Sequence, residues 1–384
     1  MSDPRHRSFT VRALLGLALV ALVAAGCSSD DSADDEAAAD TATDTATTDT
    51  TEAATAPVEA QDWEEHVPGG DCQCGDGGEF SFYSRVADPE KVLLYFQGGG
   101  ACFSPETCNP EDPAYTLVAS GAQATDSNSG VFALDNPDNP FRDWSMVFVP
   151  YCTGDIHLGD NTNTYGPGVT VNHKGYVNAK AAFDYMVEAF PDASEVFVTG
   201  SSAGGVPSPL FGGLASDEYP DADITVLADA SGVYADNPPV NEAIGSLWGT
   251  FNNIPDWPEL EGLEPADYSV PGLFVNSGLH DPDIRFARYD NAYDEVQQSF
   301  SSLAGLGDGD LLSIIQANEA GIEEAGVPVA SYIAPGTDHT ILGYNGMYEL
   351  EVEGVSFLDW LTEYVEGEDV DDVVCTDCDN PADA

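Results

Sequence analysis

The chain has 384 residues, with 68 Asp and Glu against 10 Lys and Arg, a formal net charge of −58. So strong a negative field repels nucleic acid and anionic lipid, which excludes both as partners held by charge. The length suits a single large α/β domain with a leader in front of it.

Residues 1–27 read as a secretory signal. Arg5, His6, Arg7 and Arg12 make a basic start, and Ala13 to Ala25 is an apolar run too short to span a bilayer comfortably. The run ends in Ala24-Ala25-Gly26-Cys27, which resembles a bacterial lipobox, with Ala24 where leucine is usual. That resemblance implies cleavage before Cys27, lipidation of its sulfur and a cell-surface lipoprotein; ordinary signal cleavage and free secretion is the alternative. Arg5 and Arg7 are not adjacent, so a twin-arginine route is not supported. Residues 28–62 are Asp, Ala, Thr and Glu with almost nothing to bury, the composition of a disordered acidic tether. Its expected span is roughly 30 Å, extended further by self-repulsion. Residues 1–62 hold only 12 of the acids, so 63–384 keep 56 acids and 7 bases.

The folded domain is expected over 63–384. Asp71 to Gly78 is an irregular, glycine- and cysteine-rich lead-in, and Glu79 to Val86 alternates as a strand does. Lys91 to Phe96 has the length and composition of a buried strand and runs into Gln97-Gly98-Gly99-Gly100-Ala101. Three glycines there point to close backbone approach. Residues 105–140 are loop-like, Trp144 to Val149 is a strand, and Val171 to Phe190 an amphipathic helix. Ser194 to Thr199 is a short strand before Gly200-Ser201-Ser202-Ala203-Gly204, and a helix follows from Val206 to Ala215. Asp223 to Asp229 is a strand, and 235–268 a loop-rich cap over the sheet. Pro271 to Asn276 reads as the penultimate strand, leading to Asp281 and Asp283. Leu311 to Ala325 is a helix, Pro328 to Ile333 the last strand, and Val355 to Val365 a closing helix. Strands alternating with helices imply an α/β fold with a mostly parallel central sheet and helices on both faces.

Eight cysteines are present. Export makes disulfides the default, and with Cys27 lipidated one of the remaining seven is left free. Cys102 and Cys108 are close enough to staple a loop. Cys72/Cys74 and Cys375/Cys378 sit at opposite ends of the domain and are expected to join them. A four-thiolate zinc site from these pairs is disfavoured by oxidising surroundings, so neither metal nor cofactor is expected.

Strand, Gly-x-Ser-x-Gly, helix is the context that lifts a serine clear of a sheet, with helix N–H groups beside it. Ser202 is then a candidate nucleophile and the Ala203 amide a candidate oxyanion donor, with the glycine loop supplying the second. His339 follows the last strand, where a loop drops an imidazole onto the serine. A carboxylate is needed to fix its tautomer. Asp281 is the first choice and Asp283 the second; Asp229 is a rival, and Asp338 adjoins His339 but points away from it.

Leu93 to Phe103 (Leu-Leu-Tyr-Phe-Gln-Gly-Gly-Gly-Ala-Cys-Phe), Val149 to His157, Gly200 to Gly205 and Gly336 to His339 together resemble the pectin acetylesterase family. That family includes plant wall deacetylases and the Notum-type carboxylesterases of animals, and the likeness covers roughly 63–365. It implies a modified α/β-hydrolase fold, a Ser-Asp-His triad and no metal. Ser202 matches the family's nucleophile and His339 its base. Gly99, Gly100 and Ala203 match the oxyanion positions, although the family commonly has an aromatic residue where this chain has Gly100. The family's acid lies in a segment similar to Phe274 to Ile284, which favours Asp281.

The expected protein is an exported serine carboxylic-ester hydrolase that removes acetyl or another short acyl group, on a polysaccharide or similar substrate. Pectin itself is disfavoured, since a polyanionic sugar meets an acidic surface. One rival is a longer-chain lipase or thioesterase of Notum type, which an apolar tunnel under 235–268 would favour. The other is a non-catalytic carbohydrate-binding surface protein on a hydrolase fold. The membrane enters only through the anchor at Cys27. Salt screens self-repulsion, the Debye length falling to about 3 Å at 1 M. The melting temperature is therefore expected to climb between dilute buffer and molar salt; greatest stability in dilute buffer would refute adaptation to salty surroundings.

Overall fold

The computed structural model describes residues 60–307 and 309–379. The signal segment with Cys27 lies outside the described residues, as does all of the tether except its last three residues.

Thirteen strands are present among the described residues: β1 (Glu64–His66), β2 (Phe82–Arg85), β3 (Asp88–Phe96), β4 (Trp144–Val149), β5 (Asn161–Gly166), β6 (Val169–His173), β7 (Glu195–Ser201), β8 (Asp223–Asp229), β9 (Arg285–Asn291), β10 (Val329–Ala334), β11 (Glu351–Val352), β12 (Val355–Ser356) and β13 (Val373–Val374). Nine of them form one sheet in the order β1-β2-β4-β3-β7-β8-β9-β10-β13. From β4 across to β13 every pair is parallel, and β1 and β2 run antiparallel at one edge. The helices are α1 (Ala122–Thr125), α2 (Gly175–Ala189), α3 (Ser208–Glu218), α4 (Pro238–Trp248), α5 (Val270–His280), α6 (Glu295–Leu303), α7 (Leu311–Glu324) and α8 (Phe357–Val365).

A parallel sheet needs cover on both faces, and the two-residue period of its strands supplies two apolar surfaces. Leu93, Tyr95 and Phe197 pack on one side with Phe357, Trp360 and Tyr364 of α8 and Ile315 of α7. Val92, Leu94, Phe96, Val196 and Val198 pack on the other with Phe183 and Met186 of α2, Phe211 of α3 and Phe274 of α5. This is the mostly parallel α/β sheet with helices on both faces expected from the alternation of elements, and it is consistent with the α/β-hydrolase-like fold that the resemblance implies. A third apolar cluster, with Leu158, Val206, Leu210, Trp257, Leu260, Tyr268 and Leu273, joins the cap to the end of the sheet. The cap is α4 and three short 3₁₀ turns.

The expected strand at Pro271 to Asn276 is instead part of α5. Ser269 caps it by accepting the Gly272 amide, and Pro271 sits in the first turn. Its buried positions, Leu273, Phe274, Ser277 and Gly278, follow helical spacing. A short apolar run does not by itself distinguish strand from helix. The strand before β10 is β9, and the short β13 follows β10 in the same sheet. In β9, Arg285, Arg288 and Asp290 gave no apolar signal, yet Arg288 and Asp290 are buried. Helix α2 also starts later than expected, because Val171 and His173 belong to the hairpin β5–β6.

Three disulfides are present: Cys74–Cys152, Cys102–Cys108 and Cys375–Cys378. The Cys102–Cys108 staple matches expectation. The two ends of the domain are not joined, since Cys74 reaches Cys152 beyond β4 and Cys375 closes its own short loop after β13. Cys72 is the free thiol among the described residues. No group of three or more potential metal-ligating side chains occurs among the described residues. The Cys74–Cys152 bridge closes a sequence separation of 78 residues. Replacing both by serine is expected to lower unfolding free energy by roughly 2–4 kcal/mol, measured by denaturant titration; an unchanged midpoint would contradict this.

Candidate active site

β7 delivers the chain into a turn that only glycine permits. A Cβ on Gly200 would lie 2.3 Å from the Gly204 carbonyl oxygen, and one on Gly204 only 2.0 Å from the Phe96 oxygen at the end of β3. Between them Ser202 has φ 57°, a left-handed conformation that is unusual for a residue with a side chain. Ser202 opens a 3₁₀ turn to Gly204, and α3 begins only at Ser208, two residues later than expected. The Ala203 amide lies in the first turn, where N–H groups have no partner within the helix.

The glycine loop presses against this turn. A Cβ on Gly98 would sit 2.5 Å from the Ser201 oxygen and 2.9 Å from the Ser202 Cβ. Gly100 has φ 77° and forms a bridge with Tyr115. The flanking bonds of that bridge run from the Ala101 amide to Ala114 O and from the Thr116 amide to Gly99 O. That pattern turns the Gly100 amide away from residue 115. The loop is fixed at its root: the Gln97 amide donates to Val149 O, and His157 Nε2–H donates to Gln97 O at 2.9 Å. Burial lowers the His157 imidazole to about 4, so it stays neutral in that role.

His339 stands in the loop after β10. Its Nδ1–H donates to Asp294 Oδ2 at 2.6 Å, and Asp294 is fully buried. Asp294 caps α6: Oδ1 accepts the amides of Val296 and Gln297, each at 2.9 Å, and Oδ2 also accepts Gln297 Nε2–H at 3.0 Å. The other imidazole nitrogen, Nε2, is shielded from solvent and has no hydrogen-bond partner. With the proton on Nδ1, Nε2 carries the basic lone pair. Two residues on, the amides of Ile341 and Leu342 donate to Asp229 at the end of β8, which also accepts the Ser201 hydroxyl. The imidazole loop and the Ser202 turn therefore share the carboxyl edge of the sheet.

The carboxylate that meets His339 is thus Asp294, and the choice of Asp281 is corrected. Asp281 ends α5, where its Oδ1 accepts the Asp283 amide; Asp283 is exposed. Neither bonds to His339. The error follows from taking α5 for the penultimate strand: the strand ends at Asn291, three residues before Asp294. The signal available was Asp294 itself, an N-cap residue opening an amphipathic run. The remaining described histidines have other partners: His66 with Ser84, His173 with Tyr165 and Thr153, and His280 with Asp217 and Glu259.

Ser202 and Ala203 open onto a cavity between the glycine loop, the cap and α6. Its walls include Leu158, Val206, Ile244, Trp248, Leu273 and Phe300. No Asp, Glu, Lys, Arg or His is among its described lining residues, in a domain that carries 56 acids. Phe300 lies beside Gly100, its ring tip 3.1 Å from where a Cβ there would stand.

Residues 65–255 match the family model for pectinacetylesterase. Palmitoleoyl-protein carboxylesterase notum2 of Xenopus laevis is 27% identical over 137 residues, 34% of this chain and 28% of that protein. Notum1 of the same organism is 29% identical over 174 residues, 43% of this chain and 35% of that protein. Human NOTUM is 25% identical over 178 residues, 43% and 34% respectively. The match therefore spans about a third of the length of these curated relatives. The family-model match includes the glycine loop and Ser202; Asp294 and His339 lie beyond it.

The contact at Gly98 is testable on its own. Gly98→Ala is expected to push the loop off the serine turn and, on the ester-hydrolase function proposed below, to lower that hydrolysis by roughly 100-fold or more, the scale of a misplaced reacting group. Wild-type rates with a folded variant would show that the loop need not lie against Ser202.

Proposed function

We propose that this chain, a relative of the pectinacetylesterases and the Notum-type carboxylesterases, hydrolyses carboxylic esters with Ser202 as nucleophile, His339 as base and Asp294 as the orienting acid. The observation that carries the reading is the imidazole: one nitrogen is held on a buried carboxylate, and the other is buried without a partner beside the Ser202 edge. Ser202 Oγ attacks the acyl carbon as its proton passes to His339 Nε2. The amides of Ala203 and of Gly99 or Gly100 receive the charge on the oxyanion. The alcohol leaves with the proton from Nε2. Water then attacks the acyl-serine, gives its proton to Nε2, and releases the carboxylic acid as Ser202 is restored.

The apolar cavity supports an acyl chain longer than acetyl. An acetyl group leaves most of those walls facing water, whereas a longer chain covers them at roughly 0.8 kcal/mol per buried CH₂. This is the observation that favours the longer-chain reading over deacetylation of a saccharide. Three disulfides support export, since such bonds persist in oxidising surroundings. Anchoring through Cys27 completes the proposal and would hold the enzyme at a cell surface.

Hydrolysis of p-nitrophenyl esters of increasing chain length tests the reading. Ser202→Ala is expected to lose roughly 1000-fold or more, and Asp294→Asn on the order of 10⁴-fold in kcat. Asp281→Asn is expected to stay near wild type. Phe300→Ala is expected to weaken the preference for long chains. Full activity in Ser202→Ala would overturn the mechanism; a clear preference for acetyl esters would restore the short-acyl reading.

A further inference from the structure

Asp229 is fully buried at the end of β8 and makes no ion pair among the described residues. Its partners are neutral donors from two separate segments. The Ser201 hydroxyl donates to Oδ2 at 2.5 Å, the Ile341 amide reaches Oδ1 at 3.1 Å, and the Leu342 amide reaches Oδ2 at 3.1 Å. Because the Ser201 proton points at Asp229, Tyr95 on β3 donates its own hydroxyl to Ser201 Oγ, at 2.7 Å. Tyr95 in turn accepts Gln123 Nε2–H at 3.5 Å, and Gln123 Oε1 accepts Gln97 Nε2–H at 3.2 Å. One continuous chain of bonds therefore runs from Gln97, at the root of the glycine loop, through the residue before Ser202, to the loop that carries His339.

We propose that Asp229 is a positioning residue that ties the His339 loop to the Ser202 turn and, through Ser201 and Tyr95, to the glycine loop. The inference rests on the roles given above to Ser202 and His339. Asp229 is not the orienting acid, because His339 Nδ1 is already held by Asp294. Burial pushes the Asp229 carboxyl up to about 7, and the bonds from Ser201, Leu342 and Ile341 oppose that shift. Three donors converge on it, so a carboxylate suits the place and an amide does not. An asparagine there turns an NH₂ group toward at least one incoming N–H or O–H.

The experiment is a burst titration with a serine-directed fluorophosphonate, followed by kcat and KM on the best p-nitrophenyl ester. Rates are expressed per titrated serine. A loss of folded protein lowers the titrated fraction but not the rate per titrated site. For Asp229→Asn the expected result is a fall in kcat per site of roughly 10- to 100-fold, the scale of an ångström-sized misplacement, with KM nearly unchanged. Ser201→Ala, which leaves the two amides in place, is expected to lose less. Should Asp229→Asn fail to fold, Ser201→Ala carries the test, and a fall of several-fold in kcat per site supports the proposal. An unchanged kcat per site in the folded variant overturns it. So does a loss in Asp229→Asn as deep as that in Asp294→Asn, which would make Asp229 part of the triad itself. If Ser202→Ala stays active, the esterase reading fails first and separately.

Discussion

Two stretches of backbone, 96–98 and 200–204, meet at the carboxyl edge of β3 and β7 with no space for a Cβ between them. Gly98 lies on Ser201 and Ser202, Gly204 lies on Phe96, and Gly200 lies on Gly204. This contact fixes the left-handed conformation of Ser202 and the direction of the glycine loop together. The rest of the fold supports it. The parallel strands bring their ends to one edge, and two aromatic layers keep those strands from shifting. The loop after β10 closes over the same edge by donating two amides to Asp229.

The domain has few cations to offer its buried acids, and it meets that shortage mainly with neutral donors, to which the Arg288 charge near Asp290 and the His339 ring on Asp294 are additions. Asp155 accepts the Thr153 hydroxyl and the Gly175 amide, and burial still raises it to about 6. Asp229 accepts two amides and a serine hydroxyl, and Asp294 accepts two amides and a glutamine. Asp290 accepts the Gly232 amide and the same glutamine. Backbone N–H groups are available at turns and helix starts whatever the composition of the surface, and a carboxylate that accepts two or three of them tolerates burial. Each of these acids also fastens a loop or a helix start, so solvation of the charge and placement of the chain are one arrangement.

Much of this was legible in the sequence because the signals were local. The strand–glycine–serine–glycine context marked Ser202, the buried strand running into three glycines marked the glycine loop that lies against it, and the position after the strand at 328–333 marked His339. Asp294 was not legible because its strand did not resemble one. β9 carries Arg285, Arg288 and Asp290, and Arg288 is buried against Glu319 and the Ile315 carbonyl, contacts contributed by α7. Polar residues satisfied by distant partners erase the apolar alternation that marks a strand. The apolar run at 271–276 then took its place in the reading, and the search for an acid began one element too early. The pairing of Cys74 with Cys152 was hidden for a related reason, since it depends on where the lead-in crosses the end of β4.

The neutral donors around the buried acids carry a consequence for the response to salt. Dissolved ions weaken an attraction between two opposite charges at a surface, but they do not enter a dry bond between a carboxylate and an amide. An enzyme whose working groups were set by surface lysines would loosen as its coat was screened. A surface of this charge would gain from concentrated electrolyte while buried bonds of this kind would be little changed by it, so tolerance of the medium and constancy of the site would be separable properties of one chain.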